Sequence, residues 1–256
     1  MLRTSEGENE VRVAAFGDIH FKLESKGRFR PLFQRAAKEA DVLLLCGDIT
    51  HLGNSEEARL FIEEAESALA EIPVLGVLGN HDFESGNQET LYRIFTDAGI
   101  SILDGNSREI HGIGFTGIKG FGGGFGPRAL QPWGESAIKN FVKEVAAETQ
   151  KLERALSRLN SGPKIVVMHY APILGTVAGE PLEIFPFLGS SYLEGPLNRF
   201  AVTAVFHGHA HRGSPEGRTS TNIPVYNVSI EVLSKHFPDH LPYFVFNVPA
   251  KEIGLQ

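Results

Sequence analysis

The sequence predicts an α/β protein, and three observations carry the prediction. Apolar runs of strand length alternate with stretches of helical composition, the opening elements read β-α-β-α-β, and each of the first three apolar runs ends at a glycine followed by polar, metal-capable side chains. Val11 to Phe16 is the first strand and stops at Gly17-Asp18-Ile19-His20. Arg28 to Ala40 has Phe29, Leu32, Phe33, Ala36 and Ala37 at helical spacing, with Pro31 confined to the first turn. Val42 to Cys46 is a buried strand that ends at Gly47-Asp48. Ser55 serves as N-cap for a helix running to about Ala70, whose acidic first turn (Glu56, Glu57) suits the helix dipole. Pro73 to Leu78 is the third strand and leads to Gly79-Asn80-His81-Asp82. The handedness of βαβ connections makes these strands parallel and sends Asp18, His20, Asp48, Asn80 and His81 to one edge.

The second half follows with a helix over Asn87 to Ala98, a short strand over Ser101 to Leu103, and a glycine-containing hairpin over Arg108 to Ile118. Within the hairpin, Gly112-Ile113-Gly114-Phe115-Thr116-Gly117 matches the spacing of a dinucleotide-binding turn, but no helix pattern follows it. The run 120–126 is a glycine-rich loop, read as plain flexible loop or as a lid over the site. Trp133 to Leu159 is a long helix, and Lys164 to Met168 is a strand ending at His169. Val202 to Phe206 is another, ending at His207-Gly208-His209-Ala210-His211. Val225 to Ser229 and Tyr243 to Val248 complete the strands. Five separate strands thus end in metal-capable residues drawn from both halves of the chain. Those halves must pack together for the residues to meet, so 1–256 is read as one domain, with 1–10 as a flexible N-terminus.

A chain of 256 residues, 42% hydrophobic and 21% charged, buries a large core, and its formal net charge of −7 argues against the basic surface of a non-specific nucleic-acid binder. The charged N-terminus has no signal-peptide pattern and no segment has the apolar length of a membrane span, which sets a cytoplasmic expectation without membrane attachment. The single cysteine, Cys46, sits in an apolar run and reads as a buried thiol.

Together the strand ends spell D-x-H, G-D, G-N-H-D, a lone His and G-H-x-H, in that order. The series Gly17-Asp18-Ile19-His20, Gly47-Asp48, Gly79-Asn80-His81-Asp82, His169 and Gly208-His209-Ala210-His211 resembles the calcineurin-like metallophosphoesterase family over nearly the whole domain. The resemblance implies a four-layer α/β/β/α sandwich of two mixed β-sheets flanked by helices, with a dinuclear metal centre at the sheet edge. It implies Asp18, His20 and His211 as ligands of one metal, Asn80, His169 and His209 of the other, and Asp48 as the bridge.

The residue types support such a centre in their own right. Two cations roughly 3.5–4 Å apart need an anionic bridge, which a carboxylate supplies. Imidazole nitrogen mixed with carboxylate and amide oxygen, without thiolate, favours Mn²⁺, Fe or Zn²⁺ over Mg²⁺ or Ca²⁺. Water between two such cations becomes a bridging hydroxide that attacks phosphorus, so the expected function is a metal-dependent phosphoric ester hydrolase, phosphatase or phosphodiesterase, acting on a small-molecule phosphate ester. His81 is not needed as a ligand and is free to stabilise phosphoryl charge or protonate the leaving oxygen, and the family resemblance implies Asp82 as the group that orients it. Tyr170 beside His169, Arg128 after the glycine-rich loop, and His51 near Asp48 are candidates for substrate contact. Trp133 has the same candidacy as Arg128. His207 is assigned a structural role, and His111, His236 and His240 are assigned to surface or loop positions. A nuclease of the same fold is the alternative that the acidic balance disfavours. A non-catalytic metal-binding scaffold would show missing ligands or a replaced His81, and the sequence shows neither.

Overall fold

In the computed structural model, which describes residues 10–159 and 162–249, the strands form two mixed sheets. The first contains β1 (Glu10–Phe16), β2 (Val42–Cys46), β3 (Val74–Val77) and β4 (Ile100–Ile102), all parallel, with β11 (Phe244–Pro249) antiparallel to β1 at the edge. The second runs β5 (Ser107–Ile110), β6 (Ile113–Ile118), β7 (Lys164–Met168), β8 (Ala204–His207), β10 (Pro224–Asn227), β9 (Glu216–Arg218). Its four central strands are parallel and its two edge strands antiparallel.

Strand periodicity explains the layering. In β7, Ile165 and Val167 point into the cluster shared with the first sheet, while Val166 and Met168 point the other way, to Val142, Val145, Leu152 and Leu156 of α4 (Ser136–Leu156). The strand β2 is buried on every residue because α1 (Arg30–Glu39) and α2 (Ser55–Glu71) cover its outer side and the second sheet its inner side. With α3 (Gln88–Asp97) beside α2, the layers are α/β/β/α, as the family resemblance implies.

The sequence reading places the elements well and their ends less well. The helix expected over Trp133 to Leu159 starts three residues late and stops three early. The N-cap of α2 is Asn54, not Ser55: its Oδ1 accepts the Glu57 amide at 2.9 Å. Glu10, assigned to a flexible N-terminus, opens β1 and pairs with Pro249, and residues 1–9 of that stretch lie outside the described residues. The short edge strand β9, the helices between β7 and β8, namely α5 (Phe185–Leu188) and α6 (Glu194–Arg199), and α7 (Ile230–His236) are additions. No helix among the described residues is long and apolar enough to cross a membrane.

The sheets are joined where it matters for chemistry. The Gly17 amide donates to Val228 O at 2.9 Å and the Ile230 amide to Gly17 O at 3.1 Å, tying the carboxyl end of β1 to that of β10.

Candidate metal centre and active site

The loops that follow β1 and β2 run side by side, with the Asp18 amide on Gly47 O at 3.0 Å and the His20 amide on Asp48 O at 2.9 Å. Asp18, His20, Asp48 and His209 all hold positive φ angles (59°, 44°, 46° and 68°), a conformation costly for side chains other than glycine that clusters where function requires it. The motif glycines are explained by contact. A Cβ on Gly79 would lie 2.2 Å from Asp48 Oδ1, and one on Gly208 2.5 Å from Asp18 Oδ2.

Two groups of ligand-capable atoms contain an aspartate, Asp18 with His20 and His211, and Asp48 with His169 and His209, each within 4.8 Å of one another; a third, His20 with His51 and His81, meets the same distance but holds no carboxylate. Asp48 faces both: its Oδ2 is 3.6 Å from His20 Nε2 and its Oδ1 3.4 Å from His169 Nε2. Asn80 Oδ1 joins the second group, 2.8 Å from His169 Nε2. In the first, His211 Nε2 is 3.4 Å from both Asp18 Oδ1 and His20 Nε2. Neighbouring ligands of a cation with bonds of ~2.1 Å stand about 3.0–3.4 Å apart, so this donor set fits a metal.

Ring tautomers agree with that fit, because a carbonyl can only accept. His169 Nδ1–H donates to Cys46 O (3.0 Å), leaving Nε2 with its lone pair toward Asn80 and Asp48. His209 Nε2–H donates to Phe187 O (3.1 Å), which leaves Nδ1 as the available ligand atom. Burial is the leading cause that lowers His20 and His209 to about 3 and His169 to about 4, keeping these rings neutral. Burial pulls His211 down too, but the hydrogen bond and charge of Asp18 outweigh it and raise His211 to about 9. Burial pushes Asp48 well up, reinforced by the charges of Asp18 and Asp82. For Asp18 the same desolvation is overcome by the surrounding histidines, which hold it below the carboxylate range. Buried carboxylates this close call for positive charge between them.

The profile of the calcineurin-like phosphoesterase family matches residues 11–213, which span all of these groups. The chain is a calcineurin-like phosphoesterase. No curated protein matches it by sequence. Among solved structures it resembles phosphopantetheinyl hydrolase (PptH) from Mycobacterium tuberculosis, with 14% identity, 93% of this chain and 96% of that one covered and a TM-score of 0.65. It also resembles the purple acid phosphatase PPD1 of yellow lupin (14% identity, 81% and 38% covered, TM-score 0.53). A putative 5′-nucleotidase from Staphylococcus aureus is similar as well (14% identity, 85% and 48% covered, TM-score 0.50). At these identities the likeness establishes the shared fold.

In this phosphoesterase His81 begins a single 3-10 turn (His81–Phe83) and packs edge-on to His20 with ring centroids 4.4 Å apart. Its Nδ1–H donates to His51 O at 2.8 Å, so Nε2 is the nitrogen left for a substrate. The expectation that Asp82 orients His81 is not met. Asp82 is fully buried and its oxygens accept from Gly79 N (2.9 Å), Ile49 N (3.2 Å), Thr50 N (2.8 Å) and Thr50 Oγ1 (2.6 Å), pinning the turn after β3 to the loop after β2. Asp82→Asn turns an amide donor toward those donors. It should cost about 2–3 kcal/mol of stability in a denaturant titration, since buried donors lose their acceptor.

His51 contributes through its backbone carbonyl and stacks on His81 with centroids 5.6 Å apart and 21° between planes, which places it beside the substrate-facing turn. Tyr170 is also close, its ring 4.4 Å from that of His209, but it is buried behind the metal-facing atoms rather than lining an open wall. Arg128 is exposed on a 3-10 turn and makes no hydrogen bond or ion pair to the histidine cluster among the described residues, and Trp133 is 73% exposed. His207 is fully buried between Gly208 O (2.7 Å) and Thr176 Oγ1 (2.8 Å), a structural role, and His111, His236 and His240 are exposed.

The glycine-rich loop is not free but packed. Gly123 N donates to Pro186 O (2.7 Å) and Gly124 N to Gly189 O (2.9 Å), and a Cβ on Gly122 would meet Pro186 O at 2.5 Å, so its glycines allow close packing on the segment 186–191. Sequence reasoning missed the supports of the G-H-x-H turn: Asn227 Nδ2 holds Ala210 O at 2.7 Å, and Glu231 lies 3.8 Å from His211 Nδ1. Neither belongs to a motif, and only the return of β10 to this edge brings them in.

Proposed function

We propose that this phosphoesterase hydrolyses a small-molecule phosphomonoester or phosphodiester with two divalent cations, held by Asp18, His20 and His211 on one side and by Asn80, His169 and His209 on the other. The observation that carries the reading is Asp48, whose two oxygens face one ligand group each. The bound pair supplies a water activated near neutral pH and positive charge for the phosphoryl oxygens. Nitrogen-rich donors without thiolate favour Mn²⁺, Fe or Zn²⁺.

The residues of the chain do the rest. The Asp48 carboxylate accepts the His81 amide at 2.8 Å, which fixes the substrate-facing turn relative to the ligands. The His51 carbonyl holds the His81 ring so that Nε2 stabilises phosphoryl charge or gives a proton to the leaving oxygen. The Cys46 carbonyl and Glu231 orient the His169 and His211 imidazoles from behind.

Chelation followed by reconstitution tests the proposal. Metal-free protein should be inactive on nitrophenyl phosphate and on bis(nitrophenyl) phosphate, and Mn²⁺, Fe²⁺ or Zn²⁺ should restore nitrophenol release from at least one of them. Absence of turnover on both probes with two equivalents of metal bound overturns it.

A further inference from the structure

Beside the His81 turn lies a cavity of about 470 Å³, walled by Leu78 and Phe83 from the β3 side, Gln88 and Tyr92 of α3, Glu144 of α4, and Lys119 at the end of β6. Two of its lining residues are tied to the active site. Phe83 closes the 3-10 turn that begins with His81, and Lys119 O accepts the amides of both His169 and Tyr170 at 3.1 Å.

Lys119 is the unusual member. Its Nζ donates to Gly120 O at 2.9 Å and lies 5.4, 4.8 and 5.3 Å from the ring centroids of Phe83, Phe121 and Tyr170. It has no carboxylate partner among the described residues. The neighbouring acids Asp104 and Glu148 are occupied by Lys151 at 2.7 and 2.6 Å. An ammonium partly buried without a counter-ion is costly, and aromatic faces offset only part of that. Two of its three N–H donors are free for a ligand. Acceptors stand ready as well: Gln88 Oε1 is buried with no hydrogen-bond partner, and the Glu144 carboxylate is unpaired among the described residues. Phe83 and Tyr92, 37% and 39% exposed, offer aromatic faces. The lining as a whole carries four acidic and three basic side chains, so it has no excess of positive charge for a second anionic group, whereas a flat, neutral ring system with both donors and acceptors suits the aromatic faces, the Lys119 ammonium and the free oxygens together.

Resting on the phosphoester reading above, we infer that this cavity receives the leaving group, that the leaving group is an alcohol of nucleoside size bearing a planar heteroaromatic ring, and that Lys119 and Gln88 determine specificity for that ring. Adenosine, which has no phosphate, separates this from catalysis. Calorimetry should show adenosine binding to the full chain with or without metals, and no binding of the non-planar polyol inositol. Lys119→Met and, independently, the surface change Phe83→Ala should each weaken adenosine about tenfold or more. On the metal-loaded enzyme, Lys119→Met should lower the preference in kcat/KM for a nucleotide ester over the matching methyl ester by a similar factor. Failure of wild type to bind adenosine, inositol binding in its place, or adenosine affinity unchanged in both variants overturns the inference. Adenosine binding in a protein that turns over no phosphate ester would instead overturn the phosphoester reading and with it the leaving-group role, leaving only a nucleoside-binding cavity.

Discussion

Asp48→Asn should leave the protein with one metal or none per chain and should reduce phosphoesterase turnover by more than the roughly 10–100-fold that follows loss of an outer metal-site contact. Asparagine has nearly the shape of aspartate, but it brings one oxygen in place of two and no charge. Neither ligand group then keeps its shared anion, 3.6 Å from His20 and 3.4 Å from His169. Metal content by atomic emission and nitrophenol release on the same samples give the result directly. Full metal occupancy with lost activity would move Asp48 from bridge to a role in chemistry alone.

The same variant makes an opposite prediction for the metal-free protein. Burial and the neighbouring charges of Asp18 and Asp82 raise the Asp48 carboxyl well above its ordinary range in the folded state. The sign follows: the native state keeps a proton that the unfolded chain has released, so stability falls as pH rises above the unfolded carboxylate value of about 3.9. Asparagine has no such proton to lose. Metal-free Asp48→Asn should therefore be more stable than metal-free wild type at pH 7, with a flatter dependence on pH, as thermal unfolding in chelator would show. Metal should reverse the order, since only wild type gains the binding energy.

The part of this site legible in the sequence is the part written as short spacing at strand ends. Asp18 and His20, or His209 and His211, sit two residues apart because each pair leaves one strand end and turns toward one point, and the flanking glycines mark where another loop comes too close for a Cβ. The parallel order of β1, β2 and β3 followed from the helices between them. Asp82 misled because adjacency to His81 suggested partnership, whereas a one-turn helix sends the two side chains apart, His81 to the cleft and Asp82 down onto Thr50. Lys119, Gln88 and Glu231 had no spacing to announce them. Lys119 acquires its surroundings from β3, β6 and β7, and its isolation from carboxylates depends on Lys151 having taken Asp104 and Glu148. Such facts are properties of packing between distant elements, which periodicity does not record.

His81→Ala should retain both metals and lose about 10²-fold or more in turnover. The substitution removes the ring while leaving intact the backbone amide that donates to Asp48 Oδ1 at 2.8 Å, so the ligand groups keep their link to the turn. Leaving-group dependence then divides the two possible tasks of the ring. If Nε2 protonates the departing oxygen, the loss should be small for nitrophenyl esters, whose leaving group departs unaided, and much larger for alkyl esters. If Nε2 only stabilises the phosphoryl oxygens, both classes should lose alike, because that charge develops whatever departs. Metal analysis of the same preparations decides the assignment itself. Metals lost along with the imidazole would make His81 a ligand, and the proximity of its ring to His20, 4.4 Å between centroids, would then be a ligand contact rather than the packing of a substrate-facing residue against the centre.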